Sequence, residues 1–124
     1  MFKKVVRVNK TMKEEINFDD WEKLDVKIGE IVEVEDIEGA DKLYKLTVNF
    51  GEEIGERTIC AGIKEYLSKE ELKGKKTQFL VNLAPRTMRG VESQGMILAA
   101  GSKEEDKFVL MEPNEDLKRG SSIS

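Results

Sequence analysis

Arg86 and Arg89 lie one helical turn's worth of chain apart in the stretch Asn82-Leu-Ala-Pro-Arg-Thr-Met-Arg-Gly-Val-Glu-Ser-Gln-Gly-Met96, where Glu92 is the only acid. Guanidinium groups are planar forks that match phosphate oxygens two at a time. Asn82, Ser93 and Gln94 add groups that can hydrogen-bond sugar or backbone atoms, and Met88 and Met96 add adaptable apolar surface. Pro85 stiffens the stretch, while Gly90 and Gly95 loosen it. Apolar runs at residues 79–83 and 96–100 flank it and read as strands. A loop between two buried strands is a natural place for binding residues. The same pattern also fits a turn with two hydrated arginines, and spacing alone weighs the two readings evenly.

Other chemistries are poorly supplied. The 124-residue chain has no histidine and one cysteine, Cys60. This removes the commonest general base, the usual nucleophilic triads, histidine metal sites, cysteine-rich zinc sites and an internal disulfide. The acids are numerous, but no pair stands out as catalytic. Cys60 reads as a small buried filler. A non-catalytic chain with no cofactor and no metal is expected.

The formal charge is −4, and its distribution says more. Residues 1–13 carry Lys3, Lys4, Arg7, Lys10 and Lys13 without an acid. Residues 30–56 hold nine acids against Lys42 and Lys45. Residues 73–95 carry Lys73, Lys75, Lys76, Arg86 and Arg89 against Glu92. A bipolar chain of this kind can present one anion-binding face despite its negative total. No run approaches the ~18 apolar residues of a membrane span, and the N-terminus lacks a signal-peptide core, so an intracellular, cytoplasmic location is expected.

The elements that must position these groups follow from the pattern. Residues 1–16 read as a basic arm or linker and residues 17–124 as one domain. Asn17 is a candidate N-cap for a short helix over 17–24, with Ile16 and Trp21 placed as a hydrophobic staple. Phe18, Trp21 and Leu24 form an apolar stripe that could lid the core or make a dimer contact. Residues 26–37 read as a long β-branched strand, with a bulge or bend suggested by Gly29. Tyr44, Leu46, Val48 and Phe50 alternate as a half-buried second strand. Residues 57–61 form a third strand. Ser68-Lys-Glu-Glu71 is a capping-box signature for a short helix stopped by Gly74. Strands at 77–83, 96–100 and 107–111 follow. The order β-β-β-α-β-β is that of a five-stranded OB-fold barrel, mainly β, with short helices and C-terminal strand additions. In that fold the loops at 38–42 and 84–92 flank the ligand face, which is where Arg86 and Arg89 fall.

Three stretches carry a resemblance. Asp25-Val-Lys-Ile-Gly-Glu-Ile-Val-Glu-Val, Gly39-Ala-Asp-Lys-Leu-Tyr and the 82–99 segment ending Gly-Met-Ile-Leu-Ala resemble, in the same order, the tRNA-binding domain family. That family includes a module at the C-terminus of many methionyl-tRNA synthetases, a synthetase beta subunit and stand-alone tRNA-binding proteins. The resemblance covers roughly residue 17 to the C-terminus. It implies an OB-fold, a structure-selective grip on tRNA, frequent homodimers and partnership with a methionyl-tRNA synthetase catalytic chain. Position by position it supports Asp41, Lys42, Tyr44, Asn82, Arg86, Arg89, Ser93, Gln94 and Met96. Thr87 stands where the family often has a basic residue, which lowers the local charge. The basic arm is outside the family pattern.

On this reading Lys42, Arg86 and Arg89 meet phosphates, and Asn82, Ser93 and Gln94 meet sugar or backbone groups. Tyr44 could stack on a base, although its place on the alternating apolar face favours the core. Two further classes stay open: a secretion-related chaperone that binds unfolded peptides in a Met-lined groove, and an assembly module that docks a synthetase by its aromatic helix.

Overall fold

The computed structural model describes residues 12–124. The expected basic arm therefore lies largely outside the described residues. Residues 12–16 are exposed and belong to no helix or strand.

The chain is built around β1 (Val26–Asp36), an 11-residue strand that serves two neighbours. Its first half pairs antiparallel with β4 (Lys76–Leu80), and its second half pairs with β2 (Tyr44–Asn49). β2 pairs in turn with β3 (Glu56–Ala61). β4 pairs with β7 (Met96–Ile97), giving the sheet order β3-β2-β1-β4-β7 of an OB-fold. A strand shared this way must bend, and the register shifts between Ile31 and Glu33. Thus the irregularity lies two to four residues beyond Gly29, where the sequence suggested it. Gly29 answers a different need. A Cβ there would lie 2.6 Å from both Phe50 Cε1 and Val48 Cγ1, so only glycine admits the Phe50 ring.

The curled sheet closes on itself beside β3. Gln94 N–H donates to Thr58 O (2.8 Å), and Thr58 N–H donates to Gln94 Oε1 (3.3 Å). Arg57 Nη1 crosses the same seam to Val81 O (2.6 Å) and Gln94 O (3.3 Å). Inside, Ile31, Leu46, Val48, Ile59, Phe50 and Phe79 are fully buried. The two phenylalanines meet edge to face at 5.3 Å and 85°. The alternation of β2 explains its one-sided burial, since Tyr44, Leu46 and Val48 point inward between half-buried neighbours.

Helix α2 (Lys69–Leu72) plugs one end with Leu72, and both capping-box bonds expected of Ser68 and Glu71 are present. Gly74, at φ +86°, ends it and donates its N–H to Ile31 O at 2.7 Å. Beyond residue 83 the strands are more finely divided than the sequence suggested. β4 stops at Leu80, and the run at 96–100 breaks at Leu98, whose N–H turns to Gln78 O. The chain continues as β8 (Ala99–Ser102), which forms a hairpin with β9 (Lys107–Leu110). The C-terminal β10 (Ser122–Ile123) returns to pair with Lys27 and Val26 of β1.

Helix α1 (Phe18–Trp21) differs from expectation in two ways. The Asn17 side chain makes no capping bond, and Ile16 is 65% exposed, so the staple is absent. Phe18, Trp21 and Leu24 are also exposed rather than a lid on the core.

Candidate nucleic-acid interface

The Arg-bearing stretch is a hairpin and not an irregular loop. β5 (Arg86–Met88) pairs with β6 (Val91–Ser93) in the register Arg86–Ser93, Thr87–Glu92 and Met88–Val91. Arg89 and Gly90 make the two-residue turn, both left-handed at φ +52° and +81°. Such a turn matches the right-handed twist of paired strands. It also places Arg89 at the tip, where its side chain is exposed.

One small apolar cluster positions the hairpin. Met88 and Val91 pack with Leu43 against buried Ile37, Ala40 and Cys60. This cluster ties the hairpin to the connection between β1 and β2, so Lys42 and the two arginines share one end of the barrel. All three side chains are exposed. Among the described residues, no ion pair involves Lys42, Arg86 or Arg89. The nearby lysines are matched: Lys45 with Glu35 (3.8 Å), and Lys64 and Lys69 with Asp36 (3.1 and 2.9 Å). Those two ammonium groups hold the Asp36 carboxyl below the usual carboxylate range, Lys69 most strongly through its hydrogen bond. Lys42, Arg86 and Arg89 are thus left for an outside anion, while these three neighbouring lysines are not.

Met96 is 42% exposed and joins Met88, Leu83 and Arg86 around a cleft of about 350 Å³ floored by Ile63, Ile97 and Phe108. Among the described residues, Arg86 is its only charged lining residue.

Four of the expected contact residues are engaged elsewhere. Tyr44 is only 4% exposed, and its O–H donates to Leu67 O at 2.9 Å, so its ring is core and offers no face to a base. Ser93 is 3% exposed. It accepts Cys60 N–H (2.9 Å) and donates to Gly95 O (3.1 Å), which locks the hairpin onto β3. Asn82 accepts Asp25 N–H (2.8 Å) and donates to Lys23 O (2.6 Å), pinning the joint between α1 and β1. Gln94 closes the barrel as described. Cys60 is buried as expected, and burial pushes its thiol pKa up, which leaves it unreactive. Sequence reasoning missed Arg57 as the seam's strut. Its partners lie 24 and 37 residues away, beyond any local pattern.

Comparison with known proteins agrees with this geometry. The family described as "Putative tRNA binding domain" matches residues 26–122. A methionine–tRNA ligase of Caldanaerobacter subterraneus is 44% identical over 126 residues, covering 98% of this chain and 19% of that protein. The match thus reaches into the N-terminal basic segment that the family pattern leaves out. The methionine–tRNA ligase of Pyrococcus horikoshii is 44% identical over 89% of this chain and 15% of its own length. The chain therefore spans a fifth or less of these relatives. Among solved structures, a MetRS related protein from Pyrococcus horikoshii superposes with a TM-score of 0.82 at 38% identity, covering 90% of this chain and all of that one. The chaperone CsaA of Bacillus anthracis superposes with a TM-score of 0.78 at 31% identity, again over 90% of this chain and all of that one. A fold, a motif order and a match that run together over most of the sequence leave one assignment: the chain belongs to the tRNA-binding domain family.

Proposed function

We propose that this chain is a non-catalytic module that holds tRNA by its folded shape and serves a methionyl-tRNA synthetase, as part of it or beside it, in the cytoplasm. The observation that carries the proposal is the grouping of Lys42, Arg86 and Arg89 at one end of the barrel, in none of the ion pairs among the described residues, while neighbouring Lys45, Lys64 and Lys69 are paired. Exposed cations of this kind bind phosphates, release counterions and read little sequence. Phe18, Trp21 and Leu24 remain available as a homodimer contact, and a dimer would present two such ends to one tRNA.

Binding of total tRNA across a salt series tests the proposal. Affinity should fall steeply with salt, and an Arg86→Ala, Arg89→Ala double variant should show a slope shallower by roughly 1.5. Equal slopes in the two proteins would remove the hairpin from the interface. Sedimentation of Trp21→Ser against the native protein tests the dimer contact, which predicts a shift to monomer.

A second reading has an observation behind it. The cleft walled by Met88, Met96 and Leu83 is apolar and adaptable, and two superposing structures are chaperones. That reading requires unfolded polypeptide to bind with little salt dependence and to compete with tRNA.

A further inference from the structure

Next to the Arg86 cleft lies a second depression of about 480 Å³. Phe108 lines both, so the two adjoin at its side chain. The second is dominated by Tyr66, which follows β3 in the turn that leads to α2. Tyr66 is 58% exposed. Its ring stacks on Phe108 at 4.7 Å between centroids and 20° between planes. Phe108 is in turn fixed over Gly101, its partner across the β8–β9 hairpin. A Cβ at Gly101 would lie 3.2 Å from the Phe108 ring. Tyr66 is therefore held flat from beneath by a ring that is itself held. More than half of its surface is open to solvent. An aromatic platform with its orientation fixed in advance is what base stacking uses, and stacking tolerates any base.

The charges around Tyr66 differ from those around Arg86. Lys103 and Lys107 line the depression, and so do Glu65 and Asp106. The four cancel, so this is not a phosphate-gathering site. A carboxylate can accept from the amino group of an unpaired base.

We infer that Tyr66 is a stacking platform for an unpaired nucleotide of the RNA whose phosphates lie on Arg86 and Arg89. The inference rests on the tRNA reading above and gives it a component that recognises single-stranded nucleotides beside the folded body. It has a signature that a phosphate contact lacks: loss of Tyr66 lowers affinity while leaving the salt slope unchanged.

The experiment measures total tRNA binding over a salt series for the full chain and for Tyr66→Phe, Tyr66→Leu and Tyr66→Ala, each with its melting temperature. The Leu variant keeps Phe108 covered but removes the π-face. Tyr66→Phe should bind within two-fold of native. Tyr66→Leu and Tyr66→Ala should each bind roughly ten-fold more weakly at every salt concentration, with parallel slopes. Native affinity in the folded Leu variant would overturn the inference, as would a loss in the Phe variant equal to that in the Leu variant. If Tyr66→Leu weakens unfolded polypeptide binding and not tRNA binding, the platform serves a peptide and the inference also fails. The arginine double variant separates the two claims. Its loss of slope alongside a silent Tyr66→Leu would discard the platform alone. No effect from either would discard the tRNA reading itself.

Discussion

A side chain's hydrogen-bond partners decide whether it is free to bind. Ser93 and Arg86 face each other across the hairpin, yet they do different work. Ser93 is buried and spends its hydroxyl on Cys60 N–H and Gly95 O, whereas Arg86 is exposed and lies outside the described ion pairs. Ser93→Ala leaves a buried N–H and a buried carbonyl without that partner. It should cost about 1–3 kcal/mol of folding stability, read by chemical denaturation. The tRNA salt slope of the folded variant should not move. A changed slope at full stability would return Ser93 to the contact surface. Asn82 is exposed, so water can replace its two bonds, and Asn82→Ala should cost less, on the order of 1 kcal/mol. The sequence could show that Asn82, Ser93, Gln94 and Tyr44 were capable of polar contacts. It could not show that each had been claimed by a backbone group 23 to 57 residues away in the chain.

At the scale of the element, the hairpin separates conformation from charge at a single position. Arg89 adopts φ +52°, a region that a long side chain enters at some cost and asparagine enters readily. Arg89→Asn should therefore keep the turn and hold or slightly raise the melting temperature. It should also weaken tRNA binding by roughly five-fold near physiological salt, because one phosphate contact is gone. A variant that is less stable and binds as well as native would show the turn, and not the charge, to be what Arg89 supplies. The hairpin also marks where sequence reading thinned. β2 was legible because six residues alternate without interruption, and α2 was legible because Ser68 and Glu71 name their own bonds. β5 and β6 have three residues each, too few for a period of two to stand out, and an Arg-Gly turn lacks the usual Asn-Gly signal. Gly29 misled for a related reason. A glycine within a strand signals either a bulge or a close approach, and only the position of Phe50 distinguishes them.

At the scale of the whole molecule, several of the described ties run through carboxylates, which titrate in acid. The C-terminal tail is held on β1 by Gly120 N–H to Ile28 O and Ile28 N–H to Ser121 O, both 2.8 Å. It is held on β4 by Lys76 Nζ, which donates to Asp116 Oδ1 (2.8 Å) and Leu117 O (2.6 Å). The Lys76 hydrogen bond lowers the Asp116 pKa, as Lys69 and Lys64 lower that of Asp36 and the Ser68 cap lowers that of Glu71. A carboxyl whose pKa is lower folded than unfolded stabilises the fold above its unfolded value, near pH 4, and loses that contribution as pH falls through the folded value. With no histidine in the chain, no side chain has an ordinary pKa that would add a step between pH 6 and 7. The melting temperature should thus be level from neutrality to about pH 5 and fall below about pH 4. Asp116→Asn should shorten that fall, since one proton-linked tie is already absent, and should expose the tail to proteolysis at neutral pH. The three carboxylates are exposed, so the fall should be smaller in high salt, which screens them. A midpoint near pH 6 would contradict this, because no side chain here has an ordinary pKa in that range. Phosphate binding through guanidinium groups does not itself depend on acid pH, so any loss of tRNA binding on acidification should track loss of the fold and not precede it.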